Sequence, residues 1–140
     1  DRGCRVAGID QSPQMVKYAR RRNPGSPLYC RDMRRPGFTA GSFDGILSTF
    51  AVIHVPQGDQ PEVFRHMYRL LKPGGHFLFN IGAGAYEYVG EHDGEWMYWS
   101  GASLPESLRR LRKAGFTILW HQGLGPRNDF HEWVLGQRPS

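Results

Sequence analysis

Asp10 and Asp32 are the residues whose type and placement most directly suggest binding chemistry. Each closes a short apolar run, and they stand about 22 positions apart. In an open α/β sheet, ligands bind beyond the carboxyl ends of the strands. A carboxylate at such an end can accept both hydroxyls of a ribose. A second one, a strand away, can accept an adenine amino group, with Met33 packed on the ring. The pair suits a nucleoside-containing cofactor, although either residue could instead cap the turn that follows it. A second group lies in residues 83–102, where Tyr86, Tyr88, Trp96, Tyr98 and Trp99 stand among several glycines. They could wall a pocket for a flat or cationic molecule, or pack on the next helix as core. His54 reads either as a structural histidine or as a group close to a reacting atom.

The elements that must hold these residues alternate between strand-like and helical patterns, which predicts an α/β fold. Cys4–Ile9 reads as a first strand ending at Asp10. Ser12 caps a helix that opens on Pro13, where a missing N–H costs nothing, and Asn23-Pro24-Gly25 stops it. Leu28–Arg31 is a second strand ending at Asp32, and Phe43–Thr49 a third. Val63, Phe64, Met67, Leu70 and Leu71 recur at helical spacing after Asp59 or Gln60. Phe77–Ile81 is a near-continuous apolar strand, as expected of one covered on both faces. Residues 83–102 read as a long loop of the kind that serves a function or moves. Ser103 and Glu106 form the pattern of a capping box, and Gly115 that of a C-cap. Phe116–Trp120 and His131–Gly136 have no helix between them, only the linker Gln122–Asp129, so they are expected to pair antiparallel.

The 140 residues fit one domain, and 39% hydrophobic against 22% charged residues argues against a disordered chain. No apolar run approaches the roughly 20 residues of a membrane span, and no charged-then-apolar leader is visible. Two cysteines cannot make a disulfide scaffold. With Asp10 and Asp32 level, Cys4 and Cys30 would be offset by about four residues along neighbouring strands, roughly 13 Å, beyond disulfide reach. Two reduced, partly buried thiols and a cytoplasmic setting are expected. The net charge of +5 is concentrated in arginine clusters at 20–22, 31–35 and 109–113. These suit solvated helix ends; a nucleic-acid footprint would need them on one face.

Taken together, five segments resemble class I S-adenosylmethionine-dependent methyltransferases. Val6-Ala7-Gly8-Ile9-Asp10-Gln11-Ser12-Pro13-Gln14-Met15 is similar to the family's second-strand motif, and Arg31-Asp32-Met33 to its adenine-contacting motif. Phe43–Thr49 with Ala51-Val52-Ile53-His54-Val55-Pro56 resembles the fourth strand and its active-site loop. Arg69–Phe77 is similar to the helix-to-fifth-strand junction, and Ala114-Gly115-Phe116 to the sixth-strand entry. The resemblance implies a Rossmann-like fold, mostly parallel with an antiparallel last strand, and S-adenosylmethionine as cofactor. It implies a single methyltransferase-like domain over residues 1–140. Asp10 would bind the ribose, flanked by Gln11 and Met15. Asp32 would bind the adenine amino group, with Met33 on the ring. Ser48, Thr49 and Phe50 would line the methionine moiety, and His54 would stand by the methyl acceptor. Tyr86, Trp96, Tyr98 and Trp99 would contact that acceptor, a small molecule. No metal is implied. Methyl transfer from a sulfonium needs alignment more than acid–base groups.

The chain departs from the family at its start. The first strand and its glycine-rich loop are absent, Asp1-Arg2-Gly3 matches the end of the helix that follows that loop, and the first residue is not Met. A piece of a longer enzyme that binds S-adenosylmethionine poorly by itself is expected. In the family order 3-2-1-4-5-7-6, the absent strand is central. Three other readings stay open. One is an inactive remnant or interaction domain. Another is a fragment of a nicotinamide-dinucleotide enzyme. A nucleic-acid methyltransferase is the third, although no Asn/Asp-Pro-Pro-Tyr or Pro-Cys motif is present. Self-association into a homo-oligomer also stays open.

Overall fold

The computed structural model describes residues 3–125 and 130–140, which divide into two compact units, residues 1–38 and 39–140. The expected match at Asp1-Arg2 and the end of the expected linker, 126–129, lie outside the described residues.

In the first unit, β1 (Gly8–Asp10) pairs in parallel with β2 (Leu28–Cys30). Both strands are short, because Cys4–Ala7 and Arg31 stay outside the ladder. The crossover between them is α1 (Pro13–Arg22). Ser12 caps it, accepting the Met15 N–H at 3.3 Å, and Asn23 closes it by returning its N–H to the Ala19 carbonyl. Leu28 packs so close to Gly8 that a Cβ there would lie 2.7 Å from it. Asp10 faces Cys30 in the register, so β2 ends two residues before Asp32. The cysteines are therefore further apart than the level placement of the two aspartates implied. Both thiols are free and exposed, not partly buried, since so little of this segment is covered.

The second unit is built on a four-stranded sheet of order β3-β4-β8-β7. Its strands are β3 (Phe43–Ser48), β4 (Leu71–Gly82), β7 (Thr117–Leu124) and β8 (His131–Gln137). β3 and β4 are parallel, while β8 runs antiparallel to both β4 and β7, as the missing helix between the last strands requires. Two helices, α2 (Gln60–Leu70) and α3 (Leu104–Ala114), carry the apolar stripes that complete the core. Phe64 of α2 lies on Phe79 (5.4 Å between ring centroids), Phe79 stacks on Phe77 (4.4 Å), and Phe116 packs on Phe77 (5.8 Å). Burying one such side chain contributes about 1.5–3 kcal/mol. α2 ends where Lys72-Pro73-Gly74-Gly75 begins; its last carbonyls receive the Arg138 guanidinium, which bonds the carbonyls of Tyr68, Arg69 and Leu71 and stacks on the Tyr68 ring. α3 ends on Gly115 at φ 107°, a left-handed cap. Its start differs from the expected capping box. Ser103 makes no side-chain cap, and the Glu106 carboxylate reaches forward to Arg109 and Arg110 (2.7–2.8 Å) instead of back to Ser103.

Residues 83–102 are a β-hairpin, not a loop. β5 (Tyr86–His92) pairs antiparallel with β6 (Glu95–Gly101) through the two-residue turn Asp93-Gly94, both at positive φ (51° and 84°). That geometry is the type I′ turn, whose twist suits paired strands.

Candidate functional site

The first unit presents its acidic residues from one end of a parallel pair. Asp10 is exposed; its Oδ1 accepts the Ser12 N–H at 2.8 Å, which orients the carboxylate at the start of α1 and leaves Oδ2 open. This is capping geometry and binding geometry at once, since a carboxylate offers about four lone-pair sites. Gln11 is exposed, and its carbonyl accepts the Cys30 thiol at 3.5 Å. Met15 is 53% exposed on the first turn of α1. Asp32 is tied locally: Arg34 donates its backbone N–H to Oδ1 (2.8 Å) and grips Oδ2 through Nη2 (2.6 Å) and Nε (2.9 Å). These bonds, the side-chain ones first, hold the Asp32 carboxyl below the usual carboxylate range against some desolvation. Arg31 orders the turn by donating to the carbonyls of Pro36 and Gly37 and lying over Tyr29 and Phe38. Met33 is half-buried beside them. The donor set fits a nucleoside: Asp10 keeps an unused oxygen for a diol. Asp32 fits through the lone pairs its Arg34 fork leaves over.

In the second unit, β3 delivers Ser48, Thr49 and Phe50 at its carboxyl end. Ser48 is half-buried, with a buried and unpartnered Oγ, while Thr49 and Phe50 are exposed. Phe50 sits at φ 52°, a left-handed conformation uncommon for a bulky residue. The Phe50 N–H donates to Asn80 Oδ1 at 2.6 Å. Its ring meets His131 (4.9 Å) and Trp133 (6.2 Å) edge-on. A 3-10 turn at Val52–His54 follows. His54 Nδ1 lies 2.8 Å from the Tyr98 carbonyl. A carbonyl only accepts, so Nδ1 carries the proton and Nε2 of the neutral ring keeps its lone pair. The His54 ring packs on Trp99 at 4.7 Å.

The hairpin is fastened to residues 54–60 by a polar seam. Gln57 donates its N–H to Glu87 Oε1 (2.9 Å) and its amide to the Tyr86 carbonyl (3.2 Å). Buried Gln60 donates to Ser100 Oγ (3.1 Å), and Ser100 in turn bonds the Val55 carbonyl. Glu87 accepts the Tyr98 hydroxyl, which holds the carboxyl low and pushes the Tyr98 phenol up to about 12. The four aromatics expected at the acceptor divide by strand alternation. Tyr86 and Trp99 share one face of the hairpin; Trp96, 75% exposed, and Tyr98 share the other. Tyr86 lies so tightly over Gly82 and Gly101 that a Cβ at either would collide with its ring.

Sequence reasoning passed over Asn80, Gln60 and Glu87. Asn80 alone had a signal, as the one polar residue in the apolar run 77–81. A separate cavity of about 250 Å³ between α2 and α3, lined by Arg65, Arg109, Arg110 and Lys113 among others, contains none of the expected residues. Among the described residues no group of three His, Cys, Asp or Glu could hold a metal ion, and no helix is long and apolar enough to cross a membrane.

Comparison with known proteins draws these features into one family. The family described as "Methyltransferase domain" matches residues 1–79. Sterol 24-C-methyltransferase erg-4 of Neurospora crassa is 28% identical over 118 residues, 73% of this chain and 29% of that protein. Phosphoethanolamine N-methyltransferase 1 of Arabidopsis thaliana is 35% identical over 81 residues, 54% of this chain and 16% of that protein. The chain thus spans under a third of the length of these two relatives. Among solved structures, a Listeria monocytogenes protein described as an S-adenosylmethionine-dependent methyltransferase superposes with a TM-score of 0.81 at 16% identity, covering 97% of this chain and 81% of that one. The 1,6-didemethyltoxoflavin-N1-methyltransferase of Burkholderia thailandensis, solved with S-adenosylhomocysteine, gives 0.77 at 17%, covering 99% and 63%. Both show the Rossmann-like methyltransferase fold. Taken separately, the strand orders β2-β1 and β3-β4-β8-β7 match the runs 3-2 and 4-5-7-6 of the order that the resemblance implies. With that family matching residues 1–79, more than half of the sequence, this chain belongs to the methyltransferase domain family, whose cofactor is S-adenosylmethionine.

Proposed function

We propose that the protein transfers a methyl group from S-adenosylmethionine to a small molecule, as one methyltransferase-like domain over residues 1–140. The observation that carries this is Asp10: a carboxylate at the end of a parallel strand, fixed by the Ser12 N–H through one oxygen and open at the other. The family match, residues 1–79, takes in the first unit and runs into the second, which supports one domain. The cofactor supplies an electrophilic methyl on a sulfonium; the chain supplies orientation. Asp10 holds the ribose hydroxyls, flanked by Gln11 and Met15. Asp32 and Met33 hold the adenine, and Ser48, Thr49 and Phe50 shape the methionine end. His54, with Nδ1 committed to the Tyr98 carbonyl, offers Nε2 to remove a proton from the acceptor. Tyr86 and Trp99, on the face that packs against His54, are the acceptor's aromatic contacts. Trp96 and Tyr98 meet it, if at all, from the other face, and Tyr98 chiefly braces the hairpin. Relatives acting on a sterol and on phosphoethanolamine support a small-molecule acceptor over a nucleic acid. Two free thiols support a cytoplasmic setting.

Calorimetric titration of S-adenosylmethionine into a chain extended to include the family's first strand and glycine-rich loop, and into its Asp10→Ala variant, tests this, with weak binding expected of residues 1–140 alone. Hydrogen bonds to a charged group contribute about 1.5–3 kcal/mol, so affinity should drop roughly 10- to 150-fold. Equal affinity in the variant would reduce Asp10 to a helix cap. His54→Asn keeps a donor for the Tyr98 carbonyl but removes Nε2. It should leave cofactor affinity intact and cut turnover by about 10²-fold or more if His54 removes the proton.

A further inference from the structure

Asn80 stands in the centre of the sheet with no exposed surface. Its Oδ1 receives the Phe50 N–H, while its Nδ2 is buried without a hydrogen-bond partner. A buried donor left unpaired lowers stability, and an apolar residue of the same size would not carry that penalty. Phe50, on the other side of the bond, sits in a backbone conformation that is itself unfavourable for a bulky residue. Two unfavourable features therefore meet at one bond. The bond spans 30 residues of sequence and joins the carboxyl-terminal part of β4 to the first turn after β3. What it achieves is local: the Phe50 ring is set edge-on to His131 and Trp133 and left 48% exposed.

We propose that Asn80 is a positioning residue. Its carboxamide oxygen holds residues 49–51 in the left-handed turn that presents Phe50, and the fold is less stable for having it there. This rests on the reading of Phe50 as part of the methionine end of the site. It separates two quantities that usually move together, the stability of the protein and its affinity for the cofactor.

Two substitutions set those quantities against each other. Asn80→Leu removes the acceptor for the Phe50 N–H together with the unpaired donor. Its melting temperature should equal or exceed that of the unsubstituted protein, while calorimetric affinity for S-adenosylhomocysteine falls at least about tenfold. Asn80→Asp keeps an acceptor oxygen but buries a carboxyl group. It should melt lower yet bind within about threefold of the unsubstituted protein. Amide hydrogen exchange at Phe50 should be slow in the unsubstituted protein and in Asn80→Asp, and fast in Asn80→Leu. Affinity that follows melting temperature across the three proteins, or is unchanged in Asn80→Leu, overturns the positioning role alone. Rapid exchange at Phe50 in the unsubstituted protein overturns the bond itself. The binding measurements are made in a chain extended to include the family's first strand and glycine-rich loop. No binding of S-adenosylhomocysteine by that unsubstituted chain overturns the cofactor reading, and the positioning role falls with it.

Discussion

At the scale of single residues, the side chains near the expected chemistry are fixed by partners far away in sequence. Tyr98 shows this through its ionisation. Its hydroxyl donates to Glu87, and that bond is what moves its phenol up to about 12. Glu87→Gln should return the Tyr98 phenol towards its ordinary value near 10, followed by NMR of the Tyr98 ring against pH. An unmoved titration would mean the bond is absent in solution. A second charge effect belongs to Glu106, held at about 2 by the guanidinium groups of Arg109 and then Arg110. A depressed carboxyl stabilises the fold above its unfolded pKa near 4.5, and the gain is lost as pH falls through the folded value. Glu106→Gln should therefore narrow the loss of stability between about pH 4.5 and 2, measured by urea unfolding across that range. A curve parallel to that of the unsubstituted protein would contradict this. The role of Ser12 as a cap was legible because it depends on neighbours within three residues. The Asn80–Phe50 bond was not, because only the parallel register of β3 and β4 brings the two together.

At the scale of elements, the hairpin is the main feature that reading the sequence left out. The signal was present: Asp93-Gly94 lies between two runs rich in aromatic residues. The glycines at 84, 90 and 94 suggested an irregular loop because Gly90, in mid-strand, weakens a strand pattern. Its place is explained by packing, since a Cβ there would press on Tyr88. Gly94→Val should strain the turn, which requires positive φ, by about 1–2 kcal/mol. Faster amide exchange along β5 and β6, with β4 and β8 unaffected, would be the signature; uniform protection would contradict the turn type. The capping box at Ser103 failed for a related reason, since two arginines one turn on compete for Glu106 more strongly than a backbone N–H does. The cap on α2 could not be anticipated either, as it comes from Arg138 at the far end of the chain. Arg138→Ala should lower stability by about 1.5–3 kcal/mol, because it leaves three helix-end carbonyls without their charged donor. Denaturant melts resolve a change of that size, and none would show that solvent replaces the guanidinium.

For the whole molecule, the α/β alternation, the antiparallel last pair and the order of family segments were all legible, because each follows from local periodicity and punctuation. Strand lengths in the first unit were not. Cys4–Ala7 has strand-like composition, but only three residue pairs join β1 to β2. That shortness bears on the cysteines. Both Cys4 and Cys30 should react with an aromatic disulfide reagent under native conditions, releasing two equivalents of thiolate without denaturant. One equivalent or none would show that a thiol is covered in solution. The two faces of the hairpin have an optical consequence. Trp99 is flanked by the His54 and His92 rings at 4.7 and 5.6 Å, whereas Trp96 stands in water on the opposite side. Imidazoles in contact with an indole dim its emission, so the long-wavelength, iodide-quenchable part of the fluorescence comes from Trp96 and from Trp120, 41% exposed on β7, more than from Trp99. A molecule settling beside His54 would change the blue component. One settling on the outer face would shift the red component, and in a Trp120→Phe background, where Trp96 is the most exposed indole left, that shift reports which side of the hairpin has been visited.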